Sequence, residues 1–141
     1  MPGIELSFKR FVTPGKPMPQ GSLRAFKTKS GAVVTPQKNS VLSYRGDIQN
    51  HYGDPDPIGG RVVVVCEFRF KRPKSHFTGK GVLKQGAPEE MMQAPDIDKL
   101  CRSVLDALTA YAYHDDKQVT TLNATKVWWH QSETVVAVEG A

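Results

Sequence analysis

The chain has 141 residues, 39% of them hydrophobic and 23% charged, which suffices for one domain with a real core but hardly for two. No apolar run approaches the ~18 residues needed to span a bilayer, and the N-terminal segment MPGIELSFKR lacks the apolar core of a signal peptide. The composition excludes the membrane-spanning and intrinsically disordered classes. We therefore expect a cytoplasmic protein with no membrane partner.

The net charge of +5 hides an uneven distribution along the chain. Residues 1 to 88 contain fifteen Lys or Arg and five Asp or Glu, whereas residues 89 to 141 contain four and nine. A basic half beside an acidic half suggests that one holds a polyanion while the other performs chemistry. Ordinary surface charge explains the same totals equally well.

The first predicted element is a strand over roughly 4 to 12, because Ile4, Leu6 and Phe8 alternate with polar residues. The following segment, residues 13 to 31, is rich in Pro and Gly and predicts a loop that could lie along a phosphate backbone. Its cationic side chains are Lys16, Arg24, Lys27 and Lys29.

A helical pattern follows from Pro36, a residue suited to a helix start, and ends at Gly53. Its spaced residues are Val41, Arg45, Ile48 and Tyr52. The run RVVVVCEFRF, residues 61 to 70, is dense in β-branched and aromatic residues and predicts a central strand. Cys66 within it and Cys101 have no CxxC spacing, so we expect reduced, buried thiols rather than a zinc or disulfide site.

Residues 71 to 95 show no sustained period and are rich in Gly, Pro and Lys. A structureless loop of this length is more often functional or disordered than neutral. We predict a basic, flexible, DNA-contacting arm whose cations are Lys71, Arg72, Lys74, Lys80 and Lys84.

A second helix is predicted between Lys99 and Ala112, and two strands close the chain at 118 to 130 and 133 to 140, with a short turn near Gln131. The apolar stripe of the helix consists of Cys101, Val104, Leu105 and Leu108, and the opposite side carries Asp98, Arg102 and Asp106. Together these elements predict a single α/β (α+β) domain over 1 to 141, with a mixed sheet of about four to five strands and two main helices.

Five of the fourteen acids fall between Asp96 and Asp116. In an extended segment, residues two apart point the same way, so Asp96 and Asp98 can aim at one ion. Ligands that are all oxygen suit Mg²⁺ or Mn²⁺, and such an ion favours phosphodiester hydrolysis.

Each acid also has a purely structural interpretation. Asp98 is a favourable N-cap for the second helix, and Asp115 with Asp116 is a common turn sequence. N-capping leaves both Asp96 and the second acidic pair unexplained.

The stretch PDIDKLCRSVLDALTAYAYHDDKQVTTLNATKVWW, roughly residues 94 to 128, resembles the core of the RusA family of Holliday junction resolvases, which are encoded mostly by phages and prophages. The shared pattern is PD-x-D, a helix containing LDAL, and DD before a strand. The basic loop VTPGKPMPQGSLRAF is similar to the first loop of the family. RPKSHF followed by GVLKQGAP resembles the loop of actinobacteriophage members.

The resemblance implies that Asp96, Asp98 and Asp116 are the catalytic, metal-binding acids. Asp115 matches a further acid and joins the candidate metal ligands, as Asp106 matches another acid of the family. The resemblance also implies Mg²⁺, with Mn²⁺ as substitute, and a homodimer that cuts two opposed strands of a four-way junction.

Two positions depart from the family pattern, since many members have Asn where this chain has Lys99 and Lys where it has Arg102. Arginine cannot exchange a proton as lysine can. We therefore assign Arg102 within the catalytic set to phosphate contact or to stabilisation of transition-state charge. Lys99 and Lys126 complete the predicted DNA-binding set, although an exposed edge lysine is the commoner reading of Lys126.

The predicted second helix is ~20 Å long, so Asp116 starts near its far end. Either residues 112 to 116 run back along the helix, about 16 Å if extended, or Asp116 meets the acidic pair of the other subunit. We favour completion of each site by the dimer.

The sequence thus predicts a Mg²⁺-dependent endonuclease that resolves four-way DNA junctions by paired nicks, in the host cytoplasm if the protein is phage-encoded. One alternative is an endonuclease for forks, flaps and other branched DNA. Another is a junction-binding protein without cleavage, in which the acids only cap and turn.

Overall fold

A computed structural model describes residues 7–21, 25–28, 31–34 and 39–140. The strands are β1 (Ser7–Pro14), β2 (Ala25–Thr28), β3 (Gly31–Val34), β4 (Val62–Lys71), β5 (Val119–Trp129) and β6 (Glu133–Gly140), and the helices are α1 (Asn39–Tyr52) and α2 (Ile97–Leu108). Short 3₁₀ turns cover Lys74–His76 and Asp116–Gln118. None of the helices in these ranges is long and apolar enough to cross a bilayer.

The main sheet has the strand order β1-β6-β4-β5. Strand β6 is antiparallel to both β1 and β4, while β4 and β5 are parallel. The predicted mixed sheet and the central position of β4 are therefore confirmed. Parallel strands need a crossover connection, and α2 supplies it between β4 and β5.

The core lies between the helices and one face of the sheet. Alternate residues of β4 are buried there, with Phe68 packed in the same cluster as Ile48 of α1 and Leu100 and Val104 of α2. Within the described ranges, the opposite face of β4 carries no helix, and it leaves Val65 exposed. The apolar stripe predicted for α2 is confirmed, and this burial positions the acidic side of the helix outward.

The structure contains a short hairpin that begins within residues 13 to 31, the segment that was predicted to be a loop. Strands β2 and β3 pair antiparallel from Ala25 opposite Val34 to Thr28 opposite Gly31, so the prediction of an uninterrupted loop is wrong. Each strand has only four residues, too few for an alternating pattern to stand out in the sequence. Lys27 lies in β2, whereas Arg24, Lys29 and Pro36 lie outside the described residues.

Strands β5 and β6 are consecutive in the chain but do not pair with each other, because β4 lies between them. The turn near Gln131 therefore carries the chain across the end of β4. Ser132 in that turn accepts a hydrogen bond from the backbone N–H of Lys71 at 3.0 Å.

The segment between β4 and α2 lies along the outer edge of β5. The N–H of Met91 donates to the carbonyl of Lys126 at 3.1 Å, and the N–H of Trp128 donates to the carbonyl of Glu89 at 2.8 Å. These bonds pair backbone groups that an uncovered edge strand would leave open to other chains. Met91 is buried against the core, which holds the segment in place.

Both cysteines are free and buried, as predicted. Burial raises the pKa of the Cys66 thiol and that of the Cys101 thiol above their ordinary value. Both therefore stay protonated and unreactive near neutral pH.

We expect the same substitution at two neighbouring residues of β4 to have different effects on stability. Val64 is 0% exposed and Val65 is 42% exposed, so Val64→Thr buries a hydroxyl at an apolar position and should lower the free energy of unfolding by about 1–3 kcal/mol. Val65→Thr should change it by less than about 0.5 kcal/mol. Urea denaturation measures both, and equal effects would contradict the assignment of the two faces of the sheet.

Candidate active site

Asp96 and Asp98 lie together at the N-terminus of α2. Asp96 occupies the N-cap position with extended backbone angles, φ −70° and ψ 141°, and its side chain makes no capping hydrogen bond. Asp98 lies in the first helical turn. Two expectations are therefore wrong: Asp98 is not the N-cap, and residues 96 to 98 are not an extended segment, because the helix already begins at Ile97.

Both carboxylates are exposed to solvent. The positive end of the helix dipole stabilises their negative charges at this position. Neither side chain is used to cap the helix or to form an ion pair within the described part of the chain. They are thus available to a ligand in a way that a capping carboxylate is not.

Lys126 of β5 holds the segment that precedes these carboxylates. Its Nζ donates to the carbonyl of Gln93 at 2.6 Å and to that of Pro95 at 2.8 Å. Two hydrogen bonds from an ammonium group to backbone carbonyls are stronger than neutral ones. Lys126, which the sequence analysis placed in the DNA-binding set, therefore anchors the backbone next to Asp96.

A basic cleft adjoins Asp96. The segment after β1 packs on the start of α2, where the N–H of Gln20 donates to the carbonyl of Lys99 at 3.0 Å. The two segments enclose a cavity of about 430 Å³ lined by Asp96 together with Lys16 and Lys99. Two predicted DNA-binding lysines are thus brought beside one predicted catalytic acid.

The exposed side of α2 continues as a row of alternating charge. Arg102 donates to the carboxylate of Asp116 at 3.5 Å, and both side chains are largely exposed, by 57% and 40%. Such a surface pair is worth little energy and can exchange partners. One turn further along, Asp106 accepts from Arg45 of α1 at 3.1 Å, which accounts for this acid by helix packing.

Asp115 has a structural role in the turn before β5. Its carboxylate accepts from the N–H of Lys117 at 2.9 Å and forms a capping box with Gln118. The hydrogen bond from the Lys117 backbone lowers the pKa of Asp115 below the ordinary value. Gln118 then donates to the carbonyls of Ile58 and Gly60, at 2.7 and 2.9 Å, and fixes this turn to the rest of the domain.

Asp116 lies beside the C-terminal half of α2, where it lines a small concavity of about 310 Å³ with Asp106, Thr109 and Asp115. Asp116 also contacts Arg102 near the middle of α2, whereas Asp96 and Asp98 lie at the N-terminal end of the helix. Over the described ranges, no three His, Cys, Asp or Glu side chains come close enough to hold a metal ion. One chain therefore presents the predicted acids as two separate groups.

The predicted cations of the segment between β4 and α2 divide into two kinds. Arg72 donates to the carbonyl of Pro88 at 2.8 Å and contacts His76, so it shapes the segment. The side chains that project into solvent are Lys71, Lys74, Lys80 and Lys84.

The role of Gln118 and the pairing of Arg45 with Asp106 were not predicted from the sequence. Arg45 was visible only as a polar residue within the helical spacing of α1. Its partner is 61 residues away, and no local pattern contains that information.

The family model described as Endodeoxyribonuclease RusA matches residues 14–139 of this chain. The match includes both acidic groups, the cleft at Asp96 and the main sheet, except for residues 7–13 of β1 and the last residue of β6. A search of curated proteins found no match.

We expect Lys126→Met to loosen the backbone that carries Asp96. The substitution keeps the aliphatic stem but removes both hydrogen bonds to carbonyls, which should lower the free energy of unfolding by about 1–3 kcal/mol. Amide hydrogen exchange over residues 93–98 should accelerate more than elsewhere. Lys80→Met, at an exposed lysine, is the matched control; if the two variants behave alike, the anchoring role of Lys126 is wrong.

Proposed function

The chain belongs to the RusA family of endodeoxyribonucleases, enzymes that act on branched DNA junctions, and we propose that it is a divalent-metal-dependent Holliday junction resolvase. In this proposal it introduces paired, symmetric nicks into a four-way junction. The observation that carries the proposal is the pair of exposed carboxylates at the start of α2, beside a cleft that contains Lys16 and Lys99.

The donor set fits a hard cation, because the candidate ligands Asp96, Asp98 and Asp116 supply only oxygen atoms. Mg²⁺ is the proposed ion, and Mn²⁺ its substitute. When bound, such an ion would orient the phosphate, stabilise charge on the leaving oxygen and lower the pKa of the attacking water.

The chain's own cations have the complementary task of holding the DNA. Lys16 and Lys99 are exposed and line the cleft with Asp96, so they can contact the phosphates on either side of the cut. The exposed lysines of the segment between β4 and α2 are further candidates for phosphate contacts. Phosphate contacts of this kind fix position without reading sequence.

The role assigned to Arg102 is stabilisation of the transition state. Its pairing with Asp116 is exposed and long, so DNA binding can replace it with a phosphate contact. A guanidinium stays charged throughout the reaction and can donate to two phosphate oxygens at once. It can therefore stabilise the charge that develops on the phosphate, but it cannot exchange a proton.

We propose that a homodimer completes each site. A twofold axis perpendicular to α2 would set the α2 helices of the two subunits antiparallel, with the N-terminal end of one beside the C-terminal half of the other. Asp96 and Asp98 would then face Asp116 of the partner subunit. The separation of these groups within one chain supports this arrangement, and symmetric incision of two strands requires two equivalent sites.

We expect purified protein with Mg²⁺ to cut a synthetic four-way junction by paired nicks across the branch, and EDTA to abolish cutting. Asp98→Asn should reduce the cleavage rate at least ~100-fold, as the loss of several kcal/mol of charge stabilisation implies, while binding persists. Asp47→Asn, at an exposed acid of α1, should cut normally. Gel assays of cleavage and of binding measure both quantities.

Other outcomes of this assay identify other functions. Equal cutting of forks and flaps would replace a resolvase with a broader branched-DNA endonuclease. Binding with no cutting in Mg²⁺ or Mn²⁺ would indicate a junction-binding protein. Full activity in EDTA would refute metal dependence.

A mixed dimer tests the composite site separately. If one subunit carries Asp98→Asn and the other Asp116→Asn, a composite arrangement leaves one intact site and one with both substitutions. The mixed dimer should then convert a supercoiled cruciform plasmid to the singly nicked circle, whereas each parental dimer stays inactive. A mixed dimer without activity would place all three acids of each site in one subunit.

A further inference from the structure

A second cavity, of about 430 Å³, lies between the end of β5 and the segment that connects β4 to α2. Its walls include Val127, Trp129 and His130 from the end of β5, and Phe77, Leu83 and Glu89 from that segment. None of these residues belongs to the carboxylate groups described above. The cavity is open, mainly aromatic and apolar, and bordered by charged side chains.

We propose that this cavity receives one unpaired nucleobase of the branched DNA. The inference rests on the proposed function, since it assigns a contact to the same substrate. It identifies the ligand as a flat aromatic base rather than a phosphate, a metal ion or an apolar peptide.

Trp129 provides the main stacking surface. Val127 and Trp129 point to the sheet face opposite the one on which α1 and α2 pack, whereas Trp128 is buried in the core. The guanidinium of Arg69 lies 4.1 Å from the ring centroid of Trp129, and the ring of His130 lies 5.4 Å away. These neighbours hold the indole in place, so stacking on it costs little side-chain freedom.

The remaining walls match the chemistry of a base. Phe77 contributes a second aromatic side chain from across the cavity, and every base has a π face that stacks on aromatic rings. Glu67, which is paired with Arg69 at 2.6 Å, and Glu89 also line the cavity, and the carboxylate of Glu89 can accept hydrogen bonds from base amino groups. Exposed Lys71 and Lys74 lie next to the cavity in the chain and can bind the phosphates that flank an extruded nucleotide.

The position of the cavity relative to the carboxylates fits a branch-point contact. Lys126, which contacts the carbonyl of Pro95, is three residues before Trp129, roughly 10 Å along a strand, and the two side chains point to opposite faces of β5. Bases at a branch are those most easily unstacked. A base held at Trp129 would therefore fix the branch at a set distance from the phosphate that lies near Asp96.

The test combines a protein change with a DNA change. Wild type, Trp129→Leu and Phe77→Leu are each titrated, in EDTA to prevent cutting, with a four-way junction carrying an intact base or an abasic residue at each nucleotide beside the branch. A single strand of the same sequence is titrated in parallel. Thermal melting checks that each variant is folded, and Phe77→Leu alters the cavity without touching the sheet.

For wild type, the abasic residue at the contacted position should weaken binding by about 5-fold to 100-fold, the range measured for loss of one stacked base. Trp129→Leu and Phe77→Leu should weaken binding to the intact DNA, and the abasic residue should then add less than about twofold. Lys80→Ala should weaken binding to both DNAs equally and preserve the abasic effect, because it loses only a phosphate contact.

If the loss of affinity from the protein substitution and the loss from the abasic residue multiply, on both the junction and the single strand, no base occupies the cavity and the inference is overturned. If the effects multiply and sedimentation also shows that the Trp129→Leu or Phe77→Leu variant no longer dimerises, the cavity would be assigned to a second copy of this chain instead. Failure of the proposed function would give a different result, because the junction would then bind no better than an unbranched duplex titrated in parallel. If the substitution and the abasic residue still fail to multiply on the single strand, the base contact is established all the same.

Discussion

The crossover from β4 through α2 to β5 is the constraint on which the candidate site depends. Parallel pairing of β4 with β5 requires the connecting helix to run back across the sheet, and burial of Leu100 and Val104 against β4 fixes its rotation. The same geometry places Asp96 and Asp98 at the N-terminal end of α2 and Asp116 beside its middle and C-terminal half. A dimeric site follows as a proposal from this separation within the domain.

Charge is distributed so that the exposed acids remain usable. Asp106 and Asp115 are committed to the fold through Arg45 and Lys117, whereas Asp96 and Asp98 rely on the helix dipole and solvent. Because some of these acids have protein partners and the others face solvent, five acids can lie within 21 residues of a basic protein. Those held by the fold stabilise it, and those left exposed are available for chemistry.

Local patterns carried much of the prediction. The β-branched run of β4 and the apolar stripe of α2 were both predicted from the sequence, because burial imposes a period on neighbouring residues. The hairpin of β2 and β3 was missed because its strands are too short to show a period. Lys126 was classed with DNA-binding cations, since its partners Gln93 and Pro95 are more than thirty residues away.

The sequence by itself determined the class of fold, the acids that carry the candidate chemistry and their family, because these depend on residue type and short spacing. Only the tertiary structure decided which acids are engaged in packing, which backbone Lys126 holds, and that Asp116 lies apart from Asp96 and Asp98 in one chain. The physical reason is that side-chain contacts across the sheet depend on strand order and helix direction. Neither strand order nor helix direction is encoded in the spacing of neighbouring residues.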